Sequence, residues 1–317
     1  MLEAIGKLLL VFVLIVGVLT LAGGLTWVER RLLAVVQNRY GPNRVGPDGI
    51  LQVVADMLKL FWKEDWVPPF ADKAIFVMAP MLIVVFTLMS FAVLSISPGV
   101  AVADLNIGLL FFLAMSSLTV YSVALGGWAA NSKYALLGSL RAVAQMLSYE
   151  VFMGLSLMGV VMLVGSFSLG DIVRAQERLW FCLPQCLGLV VFAIAGLAET
   201  RRIPFDLPEA ENELVAGYHT EYSGMKFAMF FLGEYMGVAL VSAMMVTLFF
   251  GGWLGPVLPG ALWFGIKMVV IIGLFILVRA SLPRLRFDQL MATGWKVLLP
   301  LSLLNLVVTA ATVLALR

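Results

Sequence analysis

Long apolar runs alternate with short polar segments along the whole chain. A run of about 20 helical residues is enough to cross a hydrocarbon layer of about 30 Å. The runs are continuous, and a backbone in lipid has to satisfy its own hydrogen bonds, so they predict helices rather than a barrel. We predict eight spans, over residues 4–28, 74–97, 104–128, 140–165, 180–198, 226–250, 261–281 and 294–315.

One segment between the first two spans has a shorter, amphipathic pattern. Its apolar residues recur at helical spacing, and they are Ile50, Val54, Met57, Leu58 and Phe61. Polar residues lie on or near the other face, and they are Gln52, Asp56, Lys59 and Lys63. The segment is too short and too polar to span, so it predicts a helix lying along the interface. Such a helix is either a surface anchor or the lip of a site for an amphiphilic molecule.

Composition agrees with a membrane protein. The chain is 62% hydrophobic and only 13% charged, far from the usage of soluble domains. The first apolar run is too long for a signal peptide and lacks a small-residue cleavage site, so it predicts a span. We therefore expect an all-α, polytopic membrane helix bundle forming a single transmembrane domain over residues 1–317.

The distribution of basic residues predicts the orientation. Cytoplasmic loops of membrane proteins retain Lys and Arg, and 16 of the 21 such residues here lie in four of the segments between or beside spans. These segments cover residues 30–73, 129–141, 199–226 and 279–296. Both chain termini are therefore predicted on the opposite, periplasm-like side.

The chain contains few residues that could bind a metal. It has two cysteines, Cys182 and Cys186, and one histidine, His219. This excludes a self-contained zinc or iron–sulfur site of the usual kind, and the cysteine pair is more typical of packing than of chemistry. The net charge of +2 gives no reason to expect nucleic-acid binding.

Acidic residues are concentrated in one stretch, residues 196–235. Seven of the 19 acids fall there, namely Glu199, Asp206, Glu209, Glu211, Glu213, Glu221 and Glu234. An isolated acidic run is usually a solvated face. Here acids extend from the loop into the predicted spans on either side, and clustered carboxylates raise one another's pKa values, so a proton path is the alternative.

Two glutamates are predicted inside the hydrocarbon layer. Glu150 lies nine residues beyond Arg141, about 14 Å along its helix, and Glu234 lies eight beyond Lys226, about 12 Å. An intramembrane carboxylate is costly and usually faces a bundle interior or a water-filled cavity. The pair is therefore either a proton relay or a buried structural pair.

Three other polar side chains within spans need an interpretation. Lys267 lies about 9 Å from the outer end of its span and either extends toward the surface or has a function. Tyr149 and Tyr235 are each adjacent in sequence to one of the intramembrane glutamates, but they point elsewhere on their helices, so we predict that they pack or lie at the interface.

Four segments resemble one known family. AETRRIPFDLPEAENELVAGYHTEYSGMKFAMFFLGEY is similar to the quinone-site membrane subunit of respiratory complex I, the bacterial NADH:quinone oxidoreductase. The other three are WVERRLLAVVQNRYGPNRVGPDGILQVVADMLKLFWKED, GGWAANSKYALLGSLRAVAQMLSYE and RASLPRLRFDQLMATGWKVLLPL. Together they cover all four predicted cytoplasmic connections in order, so the resemblance extends over nearly the full chain.

The resemblance implies a membrane subunit of a proton-translocating enzyme complex in the bacterial inner membrane. It implies that this chain holds no cofactor, takes quinone as substrate, and relies on flavin and iron–sulfur clusters in partner subunits. The expected partners are the quinone-site subunits of the peripheral arm and the small and antiporter-like membrane subunits, together with the lipid bilayer.

The resemblance also implies site residues by motif position. Those expected to line or neighbour the quinone chamber are Glu29, Arg30, Asp56, Glu199, Phe205, Asp206 and Arg279. Those expected to form the proton path are Glu150, Glu209, Glu211, Glu213, Glu221 and Glu234. No catalytic group of the chain's own is expected.

The sequence departs from the family pattern at two positions. Arg201 stands before Arg202 where members often have Asn, and Ser117 stands where some members have an acid, so the resemblance assigns Ser117 no proton role. The alternatives are the homologous subunit of a membrane-bound hydrogenase or ferredoxin-fed complex, and a stand-alone ion-coupled transporter. The absence of a visible inverted repeat disfavours the transporter.

Overall fold

The computed structural model describes residues 2–209 and 211–316, and the side chains of residues 5–209 and 213–315. The described residues are mainly helical and contain no β-strand, which confirms the predicted all-α bundle. Within these residues, seven helices are long and apolar enough to span a membrane, and the remaining one of the eight predicted spans, 180–198, contains only a shorter apolar helix. The helices are α1 Leu2–Val36, α2 Gln52–Trp62, α3 Lys73–Phe91, α4 Gly108–Ala129, α5 Lys133–Val164, α6 Leu169–Arg174, α7 Cys186–Glu199, α8 Glu211–Leu214, α9 Gly224–Phe249, α10 Gly260–Ser281, α11 Phe287–Thr293 and α12 Leu299–Leu316.

The first helix is longer than its apolar run. Helix α1 continues to Val36, so Glu29 and Arg30 lie on the helix and not in the loop that we predicted to begin there. The residues from Glu29 to Val36 are mostly good helix formers and include no Gly or Pro, so nothing stops the helix where the polar residues begin.

The predicted fifth span, 180–198, is wrong in length. Helix α7 has only 14 residues, about 21 Å of helix, and the residues before it form turns. The backbone N–H of Cys182 donates to the carbonyl of Phe249, 2.8 Å away. This apolar stretch therefore packs onto the end of α9 and does not extend α7.

Three other predicted boundaries are wrong: the second span ends at Phe91 and not at residue 97, and two more errors lie at ends that carry basic residues. Helix α5 begins at Lys133 and not at residue 140. The last span begins at Phe287, because α11 and α12 are joined through a π-helical segment, Gly294–Leu298. Polar residues in these first turns hid the helices from a prediction based on apolar runs.

The predicted amphipathic helix is confirmed as α2. Its outward face is apolar, with Val54, Leu58 and Trp62 exposed by 52%, 55% and 87%, whereas Val53 faces α1 beside Gly23. An isolated helix with so much exposed apolar surface needs an apolar environment. The position of α2 at a membrane surface stays a prediction.

Helix α9 is at the centre of the bundle. Most of its residues are buried, and it packs against α1, α3, α7 and α10. Gly233 allows close contact with α3, since a Cβ there would lie 2.9 Å from Ile83. The next residue is Glu234, which is 5% exposed, so the central helix places this carboxylate in the interior.

The structure assigns structural contacts to the other polar residues predicted within spans. Lys267 donates to the carbonyls of Phe250, Gly252 and Leu254 at 2.7, 3.1 and 2.7 Å, which favours a structural role over the functional alternative. The Tyr149 hydroxyl donates to the Leu290 carbonyl at 3.1 Å, and this buried side chain packs as predicted.

Candidate functional site

A large cavity lies between the end of α1, α2 and the beginning of α9. It has a volume of about 480 Å³, and most of its lining is apolar. One ion pair lines it, in which Arg30 Nη1 donates to Asp56 Oδ2 at 2.7 Å, and Gln52 donates to the other carboxylate oxygen at 2.9 Å. A mostly apolar cavity with a few fixed polar groups suits an amphiphilic ligand with a polar head.

A buried ion pair lies one residue before Arg30 on α1. Glu29 is 7% exposed and contacts Arg279 of α10, and its Oε1 lies 3.6 Å from Arg202 Nη1. Three separate parts of the chain therefore meet at this carboxylate, directly beside the residue that lines the large cavity.

Arg202 extends this group of charges to Glu234. Its Nη2 lies 3.9 Å from Glu234 Oε2, and Arg201 Nη2 lies 3.8 Å from Glu234 Oε1. The Tyr218 hydroxyl donates to Glu234 Oε1 at 2.8 Å. We call Glu29, Arg201, Arg202, Tyr218 and Glu234 the buried charge network.

The backbone of the loop between α7 and α9 is shaped to build this network. Arg201 has a φ of +54°, a conformation that costs a non-glycine residue about 1 kcal/mol or more. Gly217 has a φ of +61°, and a Cβ there would lie 1.8 Å from the Pro208 carbonyl oxygen, so only glycine fits before Tyr218. Gln145 of α5 fixes the loop by donating to the carbonyls of Ala198 and Phe205 at 2.7 and 2.8 Å.

The charges of the loop alter one another's protonation. Burial raises the pKa of Glu209 well above its ordinary value, and the carboxylates of Glu234 and Asp206 raise it further. Burial lowers the pKa of Arg201, but Tyr218 and the surrounding carboxylates more than offset this, so its pKa is raised overall. Ionisation of Glu209 would thus place a further negative charge beside Glu234.

A second, small cavity lies deeper in the bundle. Its volume is about 40 Å³, room for one to about three water molecules. Its lining includes Glu199, Arg201 and Glu234 together with the hydroxyl-bearing residues Ser116 and Thr119. Oxygen Oε2 of Glu199 is enclosed and has no hydrogen-bond partner among the described atoms. A water in this cavity would connect the acids from two helices.

Glu150 occupies a separate position on α5. It is partly exposed and is hydrogen-bonded to the hydroxyl of Ser117 on α4. Among the described side chains, no cation pairs with it within 4.0 Å, in contrast to Glu234. Its charge is close enough to that of Glu199 for the two to interact.

The residues predicted for the quinone chamber separate into three groups. Arg30 and Asp56 line the large cavity, and Glu29 and Arg279 form the ion pair next to it. Glu199 lines the small cavity. The remaining two lie elsewhere, because Asp206 Oδ2 is 3.5 Å from Arg284 and Phe205 is buried against Tyr149.

The residues predicted for the proton path are also not all together. Glu209 and Glu234 are neighbours, whereas Glu213 is about half exposed and pairs with Arg141 at 2.6 Å, a bond that lowers its pKa. Glu221 is partly exposed in the turn before α9. The side chain of Glu211 lies outside the described residues.

Sequence reasoning did not assign a role to three residues of the network. These are Arg201, Arg202 and Tyr218. Tyr235 also contacts the network, because the centre of its ring lies 4.2 Å from the Arg202 guanidinium carbon. Charge balance is the signal that could have found the arginines, because an ionised intramembrane carboxylate requires a cation nearby. Nothing in the sequence pattern singles out Tyr218.

Comparison with known families gives one extensive match. The model of a family described as NADH dehydrogenase matches residues 8–310 of this chain. The match includes the large cavity, the small cavity and every residue of the buried charge network.

Proposed function

Since this chain belongs to the NADH dehydrogenase family and is thereby a multi-pass membrane subunit of respiratory complex I, we propose that it forms part of the chamber in which quinone is reduced and couples that reduction to proton movement. The observation that carries the proposal is the continuity from the large cavity through Glu29 and Arg202 to Glu234.

The large cavity supplies the quinone part of the proposal. A quinone has an apolar tail and a ring with two carbonyl oxygens, and a cavity lined mainly by apolar residues with an Arg30–Asp56 pair provides surface for both. The exposed apolar face of α2 forms one edge through which a lipid-soluble molecule can enter. Neighbouring subunits complete the chamber.

The buried charge network supplies the proton part. Reducing a quinone to a quinol consumes two electrons and two protons, so the ring beside Arg30 carries negative charge whenever the electrons arrive before the protons. Buried charges interact strongly because water screens them poorly. The charge on the ring therefore changes the electrostatic potential at Glu29, Arg202 and Glu234. Protons then move between Glu209, Glu234, Glu199 and Glu150 toward the antiporter-like subunits.

The wider assignments belong to the same proposal. We place the protein in a bacterial inner membrane, with both termini on the periplasmic side. It holds no redox cofactor of its own, and electrons reach the quinone from iron–sulfur clusters and flavin in partner subunits. The family match favours this subunit over a stand-alone transporter.

Substitution of the cavity ion pair tests the quinone proposal. In the assembled complex, Arg30→Met and Asp56→Asn are expected to raise the apparent KM for quinone about tenfold, because either change removes one of the few fixed charged groups that the cavity presents to the quinone ring. Arg31→Met is the matched control, since Arg31 pairs with exposed Asp48 at 3.3 Å. Equal KM values for all three variants and the unmodified complex would contradict the proposed site.

A further inference from the structure

Glu150 differs from Glu234 because its partly exposed carboxylate is hydrogen-bonded to a neutral hydroxyl. Its Oε1 is hydrogen-bonded to the Ser117 hydroxyl on α4, whereas the neighbouring Ser116 hydroxyl donates to the Leu113 carbonyl at 2.9 Å. Glu234, in contrast, lies between two guanidinium groups. Among the described side chains, a hydroxyl is therefore the group in place to adapt to a change in the charge of Glu150.

The Ser117 hydroxyl has two acceptors and one hydrogen. Its Oγ lies 3.0 Å from the Leu113 carbonyl oxygen, one turn earlier on α4, and within hydrogen-bonding distance of Glu150 Oε1. A serine hydroxyl can donate one hydrogen bond and accept two. It cannot donate to both oxygens at once, so the protonation of Glu150 decides the direction of its O–H bond.

We propose that Ser117 is a positioning residue that lets Glu150 take up and release a proton without movement of either helix. When Glu150 is ionised, the Ser117 O–H donates to its carboxylate. When Glu150 is protonated, the carboxyl O–H donates to Ser117 Oγ, and the serine hydrogen turns to the Leu113 carbonyl. No covalent bond of Ser117 breaks, and the proton stays on Glu150.

This arrangement deepens the proposed proton path and rests on it. A buried carboxyl that changes its charge normally leaves a donor or an acceptor without a partner in one of its two states, which is costly in a medium without water. Rotation of one O–H bond keeps the hydrogen bond between Ser117 and Glu150 in both states. Ser117, to which the family resemblance assigns no proton role, thereby supports the proposed role of Glu150.

Variants at position 117 in the assembled complex test the proposal. Ser117→Ala removes both the donor and the acceptor, and we expect the rate of coupled proton pumping to fall about two- to tenfold. Ser117→Thr retains the hydroxyl and should restore most of the rate, and Ser117→Cys, with its weak S–H donor, should be intermediate. Ser122→Ala is the matched control, because Ser122 on the same helix donates to the Ala79 carbonyl at 2.6 Å and does not bond Glu150.

An infrared difference spectrum separates positioning from packing. The carboxyl band of Glu150, assigned by its loss in Glu150→Gln, is expected to shift in Ser117→Ala and to remain in place in Ser122→Ala. An unshifted band, or equal pumping by the Ser117→Ala and Ser122→Ala variants, would overturn the role of Ser117. Normal pumping by Glu150→Gln would instead show that the proposed proton path fails at Glu150, and the inference with it.

Discussion

Buried polar groups occur at both ends of the bundle, but they differ in kind. Helix α7 illustrates this, because Gln185 precedes its first residue and Glu199 is its last. Around Gln185 the partners are neutral: the amide donates to Thr309 Oγ1 at 2.7 Å and accepts from Asn305 at 2.9 Å. Around Glu199 the residues are carboxylates and guanidinium groups.

The two ends also differ in which buried atoms lack a partner: near Lys267 the described one is the Trp263 indole nitrogen, whereas at the other end they include carboxylate and guanidinium atoms. Lys267, near the Gln185 end, has three carbonyl acceptors. At the other end, Glu199 Oε2 and two nitrogens of Arg201 have no hydrogen-bond partner among the described atoms. Fully bonded buried groups specify packing, whereas buried groups with unused bonding capacity are exceptions that require an explanation. We propose that these groups keep unused bonding capacity because charge and water would change there during the proposed proton movement.

The largest effect is expected for Glu234→Gln. Removing this charge leaves Arg201 and Arg202 buried without their shared anion, and loss of one partner of a buried pair typically costs about 3–5 kcal/mol. Quinone-reductase turnover in the assembled complex should fall at least tenfold. Glu213→Gln is the matched control, since Glu213 is 51% exposed and should change turnover less than twofold.

An intermediate, pH-dependent effect is expected for Glu209. Because its pKa is raised in the folded protein, neutral Glu209 contributes stability that is fully present below the ordinary glutamate pKa and is lost as the pH rises through the raised value. Ionisation also places a second anion beside Glu234. Turnover should therefore decrease on the alkaline side, and Glu209→Gln should remove this limb of the pH–rate profile. An unchanged profile would separate Glu209 from the network.

The smallest effect on turnover is expected at the other end of α7. Asn305→Ala leaves the Gln185 amide oxygen without its donor, which costs about 1–3 kcal/mol of stability. The temperature at which the complex loses activity should fall, with turnover at lower temperature unchanged, and exposed Thr312→Ala should alter neither. Loss of turnover without loss of thermal stability would mean that this end also has a functional role.

Much of the fold followed from the sequence because lipid imposes a simple rule on apolar runs. The bundle and α2 were predicted, but Glu29 was placed in a loop and α7 was made too long. Apolar content does not distinguish a helix from an apolar turn, such as the one in which the Cys182 N–H donates to the Phe249 carbonyl. Polar residues in a first turn also hide the start of a helix, as in α5.

The candidate site was predictable only as a set of residue types. Sequence placed Glu234 inside the bilayer, and the structure places it in the bundle interior with its arginines. The sequence did not predict the backbone path of the loop, in which Arg201 and Gly217 adopt positive φ values. Because that path brings Tyr218 to Glu234, the contact of Tyr218 was not predicted. Without the backbone path of the loop, the sequence also grouped Glu213 with Glu209. In the structure Glu213 is exposed and pairs with Arg141, whereas Glu209 lies beside Glu234.

Proton exchange on occupation of the quinone chamber tests the central claim most directly. Titration calorimetry of a quinone-site inhibitor into the assembled complex, in buffers of different ionisation enthalpy, gives the number of protons bound or released. We predict a measurable proton exchange in the unmodified complex and in Glu213→Gln, and its loss in Glu234→Gln. Equal proton exchange in all three would show that the buried charge network does not connect the chamber to proton movement.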